Sequence, residues 1–193
     1  MIALTALLAL GWTASAQAQS EHYANRPYEL NLNGGAHFLD DADDTDVGIG
    51  GRIFLNKASG WGFGGNFTWI LSNVDFDGDD FDVNTYLYSG ELEYTFPSST
   101  RLHPFVGVGI GAATVKISDL PEGAEDSETN LHIPLAAGAK WFNRTNDPNM
   151  AFRIDVRDNI VRIGGDDDLD IDSEITNNWE VSGGVSFLFG GGM

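Results

Sequence analysis

The chain has 193 residues, enough for one domain or a small pair, with a formal net charge of −19 and a pI of about 4.1. A phosphate backbone demands a basic face, so nucleic acid is excluded as a partner, whereas cations, basic partners or a plain solvated acidic surface stay admissible. The absence of cysteine excludes disulfides and thiolate metal sites.

The first stretch, MIALTALLALGWTASAQAQS, holds an apolar run from Ile2 to Trp12 and then Ala16, Gln17 and Ala18. That pattern predicts a signal peptide over 1–18, cut after Ala18, although a basic n-region is missing. The run is shorter than the ~20 residues a membrane helix needs. A tail over 19–27 follows.

From Tyr28 the apolar period becomes two, the mark of strands. YELNLNGGAHF sets Tyr28, Leu30, Leu32, Ala36 and Phe38 against Glu29, Asn31, Asn33 and His37. VGIGGRIFL continues with Val47, Ile49, Ile53 and Leu55 on one face, and WGFGGNFTWIL with Trp61, Phe63, Phe67, Trp69 and Leu71. TYLYSGELEYTF sets Tyr86, Tyr88, Leu92, Tyr94 and Phe96 against Ser89, Glu91 and Glu93. PFVGVGIGAAT alternates valine and isoleucine with glycine, and LHIPLAAGAKW sets Leu131, Ile133 and Leu135 against His132 and Lys140. AFRIDVRDNI sets Phe152, Ile154 and Val156 against Arg153, Asp155 and Arg157, and WEVSGGVSFLF sets Trp179, Val181, Val185, Phe187 and Phe189 against Glu180, Ser182 and Ser186. The pattern predicts eight strands of about nine to twelve residues each. Pro134 removes a ladder donor and predicts a local bulge.

The connections fall into two kinds. Segments 56–60, 97–103 and 143–149 carry turn residues and one base each, Lys57, Arg101 and Arg144. Segments 40–46, 72–84, 116–130 and 163–177 hold 21 of the 29 acidic residues and read as acidic loops, so one end of the molecule is strongly acidic and the other is not.

An eight-stranded up-and-down sheet closes into a barrel, and alternation alone leaves open which face is inside. The identity of the polar face decides. Its acids, Glu29, Glu91, Glu93, Asp155 and Glu180, nearly balance its bases, Arg52, Lys140, Arg153 and Arg157, in a chain of net −19. A confined interior needs such cancellation. The expected pairing is Glu91 and Glu93 with Lys140, Arg153 or both. The apolar face carries two aromatic girdles, as a lipid-facing belt does: Phe38, Trp69, Tyr86, Tyr88 and Trp179 beside the acidic segments, and Trp61, Tyr94, Phe96, Trp141 and Phe189 at the other ends. The fold expected is therefore all-β: an eight-stranded antiparallel up-and-down transmembrane β-barrel over 28–189, after a cleavable signal peptide and before a C-terminal extension over 190–193.

WEVSGGVSFLF, alternating and ending on Phe189, resembles the closing strand of outer-membrane proteins, and HPFVGVGIGAA is similar to the fifth strand of one group of them. Over nearly all of 28–189 the chain resembles the small eight-stranded outer-membrane β-barrels of Gram-negative bacteria, the OmpA/OmpX-like group. The resemblance implies a bacterial outer-membrane location and contact with lipid and lipopolysaccharide. It also implies insertion by the assembly machinery that reads a terminal aromatic, and a monomer.

No enzyme is expected. A lipid-A deacylase would need serine, histidine and acid together on the lipid face, but alternation turns His37 and His132 inward, and His103 and His22 fall in a turn and in the tail. VDFDGDDFDV is acidic enough for a calcium loop, yet from Asp75 the glycine falls at position 4 and Tyr86 at position 12, so the EF-hand pattern fails. No resident cofactor is expected. Weak, non-selective Ca²⁺ or Mg²⁺ binding is expected at the acidic rim, through Asp40, Asp41, Asp43, Asp44, Asp75, Asp77, Asp79, Asp80, Asp166, Asp167, Asp168 and Asp170. The function expected is structural or surface interaction in the cell envelope. The first alternative is a narrow, OmpW-like channel for small or hydrophobic solutes, and the next a lipid-A-modifying barrel enzyme.

Overall fold

The computed structural model describes residues 23, 25–39, 45–76, 79–117, 127–145, 147–163 and 174–190. The alternating segments form eight strands: β1 (Tyr28–Leu39), β2 (Thr45–Asn56), β3 (Trp61–Phe76), β4 (Asp79–Thr95), β5 (Leu102–Ile117), β6 (Ser127–Phe142), β7 (Met150–Ile163) and β8 (Glu174–Phe189). Each pairs antiparallel with its neighbours in chain order, and β1 closes on β8 from Tyr28 opposite Phe189 to Leu39 opposite Asn178. Closure leaves no unpaired sheet edge. No helix among the described residues is long and apolar enough to cross a membrane, which says nothing of crossing by strands.

The strands run 12 to 17 residues: β1 and β2 match the upper end of the expected length, and the other six exceed it. The apolar pattern stops where the belt stops, but a ladder needs only backbone N–H and C=O groups and continues past it. Most of 72–84 is thus hairpin rather than loop: pairing between β3 and β4 runs from Ser72 opposite Val83 to Phe76 opposite Asp79. The other acidic segments lose their ends to strands in the same way, at Thr45, at Lys116 and Ile117, at Ser127 to Asn130, and from Glu174 onward.

The bulge expected at Pro134 is absent. Val108 opposite Leu135 and Gly111 opposite His132 keep one register on either side of it, and Pro134 pairs with Asn159 across β7. Gly109 makes this possible, because a Cβ there would sit 2.9 Å from the proline ring. Another close turn is at 57–60, where Gly60 donates to the Lys57 carbonyl with φ at 88°, a conformation that favours glycine.

The two faces are chemically opposite. Outside lie the large apolar side chains, with Phe63 67% and Ile154 65% exposed. Inside lie the polar and charged ones, with Asn31, Lys140 and Ser186 fully buried. A soluble barrel has the reverse arrangement. Two inward apolar clusters bracket the polar lumen. Tyr23, Phe142, Ala151 and Leu188 fill the short-turn end, and Ile70, Leu87 and Ala113, with Val161 against them, lie toward the acidic end.

Candidate functional site in the barrel lumen

Alternation aims nine charged side chains into the lumen: Glu29 from β1, Arg52 from β2, Glu91 and Glu93 from β4, Lys140 from β6, Arg153, Asp155 and Arg157 from β7, and Glu180 from β8, none more than 5% exposed. They form one continuous chain of alternating sign. Lys140 Nζ lies 2.7 Å from both Glu29 and Glu93. Arg153 lies 2.7 Å from Glu93 and 3.1 Å from Asp155. Asp155 lies 2.6 Å from Arg52, which reaches Glu180 at 3.5 Å. Arg157 joins Glu180 at 3.9 Å and clasps Glu91 with both terminal nitrogens.

This corrects the expected pairing at Glu91, which meets Arg157 rather than Lys140 or Arg153; Glu93 meets both of those. The reason lies in strand tilt. Along the ladder, Glu93 is in line with Gly107, Ala136 and Arg157, yet its ion pair is with Arg153. Partners across a barrel meet at equal height, and tilt offsets height from ladder row. The small residues between β4 and β7 leave the volume that the long arginines occupy.

Neutral groups complete the network. Ser182 donates to Asp155 at 2.6 Å, Ser186 to Glu29 at 2.7 Å and Ser89 to Glu91 at 2.9 Å. Asn66 accepts from Arg52 Nε at 3.0 Å, and Asn56 donates to Glu29 at 3.1 Å. Buried charge is tolerable only when paired and hydrogen-bonded. Aromatic rings add to the confinement: the Arg153 guanidinium lies 3.9 Å from the Phe105 ring centre, and Lys140 sits within 6 Å of the ring centres of Tyr23, Phe54 and Phe105.

Tyr23 is the participant that alternation misses. It belongs to the tail, not to a strand, and its hydroxyl is 3.5 Å from Lys140 Nζ. Its ring meets Phe142 edge-on at 6.1 Å, and burial pushes the phenol up to about 12. Asn56 and Asn159 also join the network, and their place on the inward parity of β2 and β7 is readable from period two. Phe54 and Phe105 share that parity.

All three described histidines face the lumen. His132 Nε2 lies 3.0 Å from Asn159 Oδ1, and His37 pairs across the sheet with Asp46 and Glu180. His103 corrects its expected place in a turn: β5 begins one residue earlier, and the buried ring packs edge-on against Phe142 at 4.9 Å. No described histidine reaches the outer face.

The girdle residues lie on that outer face. At the short-turn end Trp61 packs on Tyr94 at 4.9 Å, Tyr94 on Phe96 at 5.0 Å and Tyr28 on Phe189 at 5.8 Å, with Trp141 exposed nearby. Toward the acidic end Trp69 stacks on Tyr86 at 6.4 Å and donates to Asn84 at 2.9 Å. The Tyr88 hydroxyl reaches Thr114 at 3.4 Å, and Phe38 pairs with Trp179. Among the described residues no group of three or more His, Asp or Glu could hold a metal ion. Asp40, Asp41, Asp43, Asp44, Asp77, Asp166, Asp167, Asp168 and Asp170 lie outside the described residues, as do the side chains of Asp75, Asp79 and Asp80.

A closed up-and-down barrel that is apolar outside and ionic inside defines the class of outer-membrane β-barrels. The chain belongs to the outer membrane protein beta-barrel domain family, whose model matches residues 3–189, and its location is the bacterial outer membrane. Among solved structures, it is similar to Neisserial surface protein A, with 17% identity, a TM-score of 0.64, and coverage of 84% of this chain and 97% of that one. It is also similar to the outer membrane protein OprG from Pseudomonas aeruginosa, with 14% identity, a TM-score of 0.52, and coverage of 88% and 99%. The attachment invasion locus protein Ail of Yersinia pestis has 16% identity, a TM-score of 0.50, and coverage of 84% and 99%. Likeness at such identity is one of fold. No curated protein matches the chain.

Proposed function

We infer that this protein is a non-enzymatic, non-conducting barrel that spans the outer membrane as a monomer and serves envelope integrity or surface interaction. The observation that carries the reading is the unbroken ion-pair chain from Glu29 to Glu91 across the lumen. Eight strands enclose a lumen just wide enough for side chains to fill, and here charged side chains fill it. The girdles would sit at the two water interfaces. Residues 1–18 would be removed on export, and the assembly machinery would read the closing strand.

The acidic segments would face outward among lipopolysaccharide phosphates. Direct contact there is repulsive, so Ca²⁺ or Mg²⁺ would bridge carboxylate to phosphate. Calorimetry on the detergent-solubilised barrel should register cation uptake at roughly millimolar calcium, and its absence would remove this part of the reading.

The central test is planar-bilayer recording of barrel that first displays a heat-dependent gel shift. Silence is expected. A steady conductance would replace this reading with the narrow-channel one.

A further inference from the structure

The buried cluster at the short-turn end of the lumen includes a residue that no strand supplies. Tyr23 is buried with its hydroxyl toward Lys140, its ring against Phe142, and Thr95 as a hydrogen-bond partner. The residues that follow are tied to the barrel's underside at three points. Arg26 grips Asp147 of the β6–β7 turn with two bonds, at 2.7 and 3.0 Å. It also donates to the Leu188 carbonyl at 3.4 Å, and the Asn56 N–H donates to the Pro27 carbonyl at 2.7 Å. Asp147 has a φ of 48°, a left-handed turn conformation that aspartate tolerates.

We propose that Tyr23 and Arg26 form a lid on the lumen, with Tyr23 as its stopper and the Arg26–Asp147 pair as its latch. The Lys140 ammonium, held by Glu29 and Glu93 under the rings of Phe54 and Phe105, is what the stopper keeps from water. The stopper is a phenol because its surroundings are mixed. The ring covers Phe142, and the hydroxyl faces Thr95 and Lys140. The latch lies on the exposed side, where water can compete for it. Withdrawing Tyr23 and Arg26 breaks no strand pairing, because the contacts described for them are made by their side chains, while Pro27, bonded to Asn56 of β2, stays as the hinge. The lid therefore sets water access to the ion-pair chain from one side while leaving the barrel closed.

The chain has no cysteine, so single thiols report access cleanly. Thr95→Cys places one beneath the stopper, and Thr68→Cys places one near the acidic end of the lumen; both positions are about equally buried, at 1% and 2%. Each is made in the full mature barrel, refolded into phospholipid vesicles and checked by heat-dependent gel migration. The probe is a water-soluble methanethiosulfonate. Adding Tyr23→Ala should speed labelling of the Thr95→Cys thiol by about tenfold or more and leave the Thr68→Cys thiol unchanged, as local opening requires. Tyr23→Phe, which keeps the ring, should stay within about threefold of the parent. Equal labelling of the Thr95→Cys thiol with and without Tyr23→Ala overturns the lid. So does a rise at both thiols, which would make Tyr23 a general packing residue. The lid rests on the sealed-lumen reading only for its consequence: a conducting parent barrel would sink the proposed function, while thiol protection would still decide the lid.

Discussion

Apolar clusters lie at both ends of the lumen, and as stoppers they would be made differently. Toward the acidic end, Ile70, Leu87, Ala113 and Val161 come from β3, β4, β5 and β7, so each is fixed by hydrogen-bonded neighbours on both sides. At the short-turn end, Phe142, Ala151 and Leu188 lie on strands, but Tyr23 comes from the tail. A strand-borne plug cannot leave without breaking the ladder, whereas a tail-borne one can swing into water. On the proposed lid, the ionic chain between them would be shielded from one side by strands and from the other by the attachment of the tail.

The largest expected effect is in that ionic chain. Asp155 accepts from Arg52, Arg153 and Ser182 and lies 3.8 Å from Arg157. Asp155→Ala strands guanidinium charge in a water-poor lumen and should cost about 3–5 kcal/mol. Urea unfolding of vesicle-embedded barrel, followed by gel migration, measures it. A loss below about 1 kcal/mol, the range of a surface pair, would mean that water already reaches the arginines and that neither stopper is tight.

The next comparison sets one stopper against the other. Leu87→Ala removes a fully buried side chain from the strand-borne cluster and should cost about 2–5 kcal/mol. Tyr23→Ala removes a larger side chain, but the tail around it relaxes into water, so its cost should fall below that of Leu87→Ala. Parallel urea curves decide the order. If Tyr23→Ala cost more, the lower stopper would be as integral as the upper one.

Period two read out much of this. It assigned each of the nine lumenal charges to a face because strand side chains have only two directions, and near-neutrality on that face set it apart from a solvated one. It cannot rank charges by height, which is why the expected cation for Glu91 differs from its partner Arg157: tilt and shear are properties of closure, not of any one strand. It stopped each strand at the last apolar position, so Ser72 to Phe76 looked like loop while the backbone went on pairing. Tyr23 was illegible for another reason. Its neighbours in sequence have no period, and its partners, Thr95, Lys140 and Phe142, are 72 or more residues away. Only closure brings them together.

The smallest expected effect is on the latch, and pH sharpens it. The hydrogen bonds from Arg26 hold the Asp147 carboxyl below its ordinary value. A depressed carboxylate contributes above its unfolded value and loses that contribution as pH falls through the folded one. The latch is therefore intact at neutral pH and released in acid. Tyr23 runs the other way: its phenol, pushed up to about 12, favours the closed lid below the ordinary tyrosine range and stops doing so as pH rises through that value. Closure should thus be flat across the neutral range and weaken at both extremes, with the acid limb belonging to Asp147. Dithiodipyridine reacts with thiols in acid, and the ratio of Thr95→Cys to Thr68→Cys labelling cancels the intrinsic chemistry. That ratio should rise as pH falls past the carboxylate range, whereas with Arg26→Ala it should start higher at neutral pH and stay level into acid. Because Arg26 and Asp147 are both on the exposed side, the urea midpoint should not move with Arg26→Ala. A sloping acid limb that survives Arg26→Ala would place the acid-sensitive group inside the lumen and leave the attachment of the lower stopper to the Pro27 and Leu188 carbonyls.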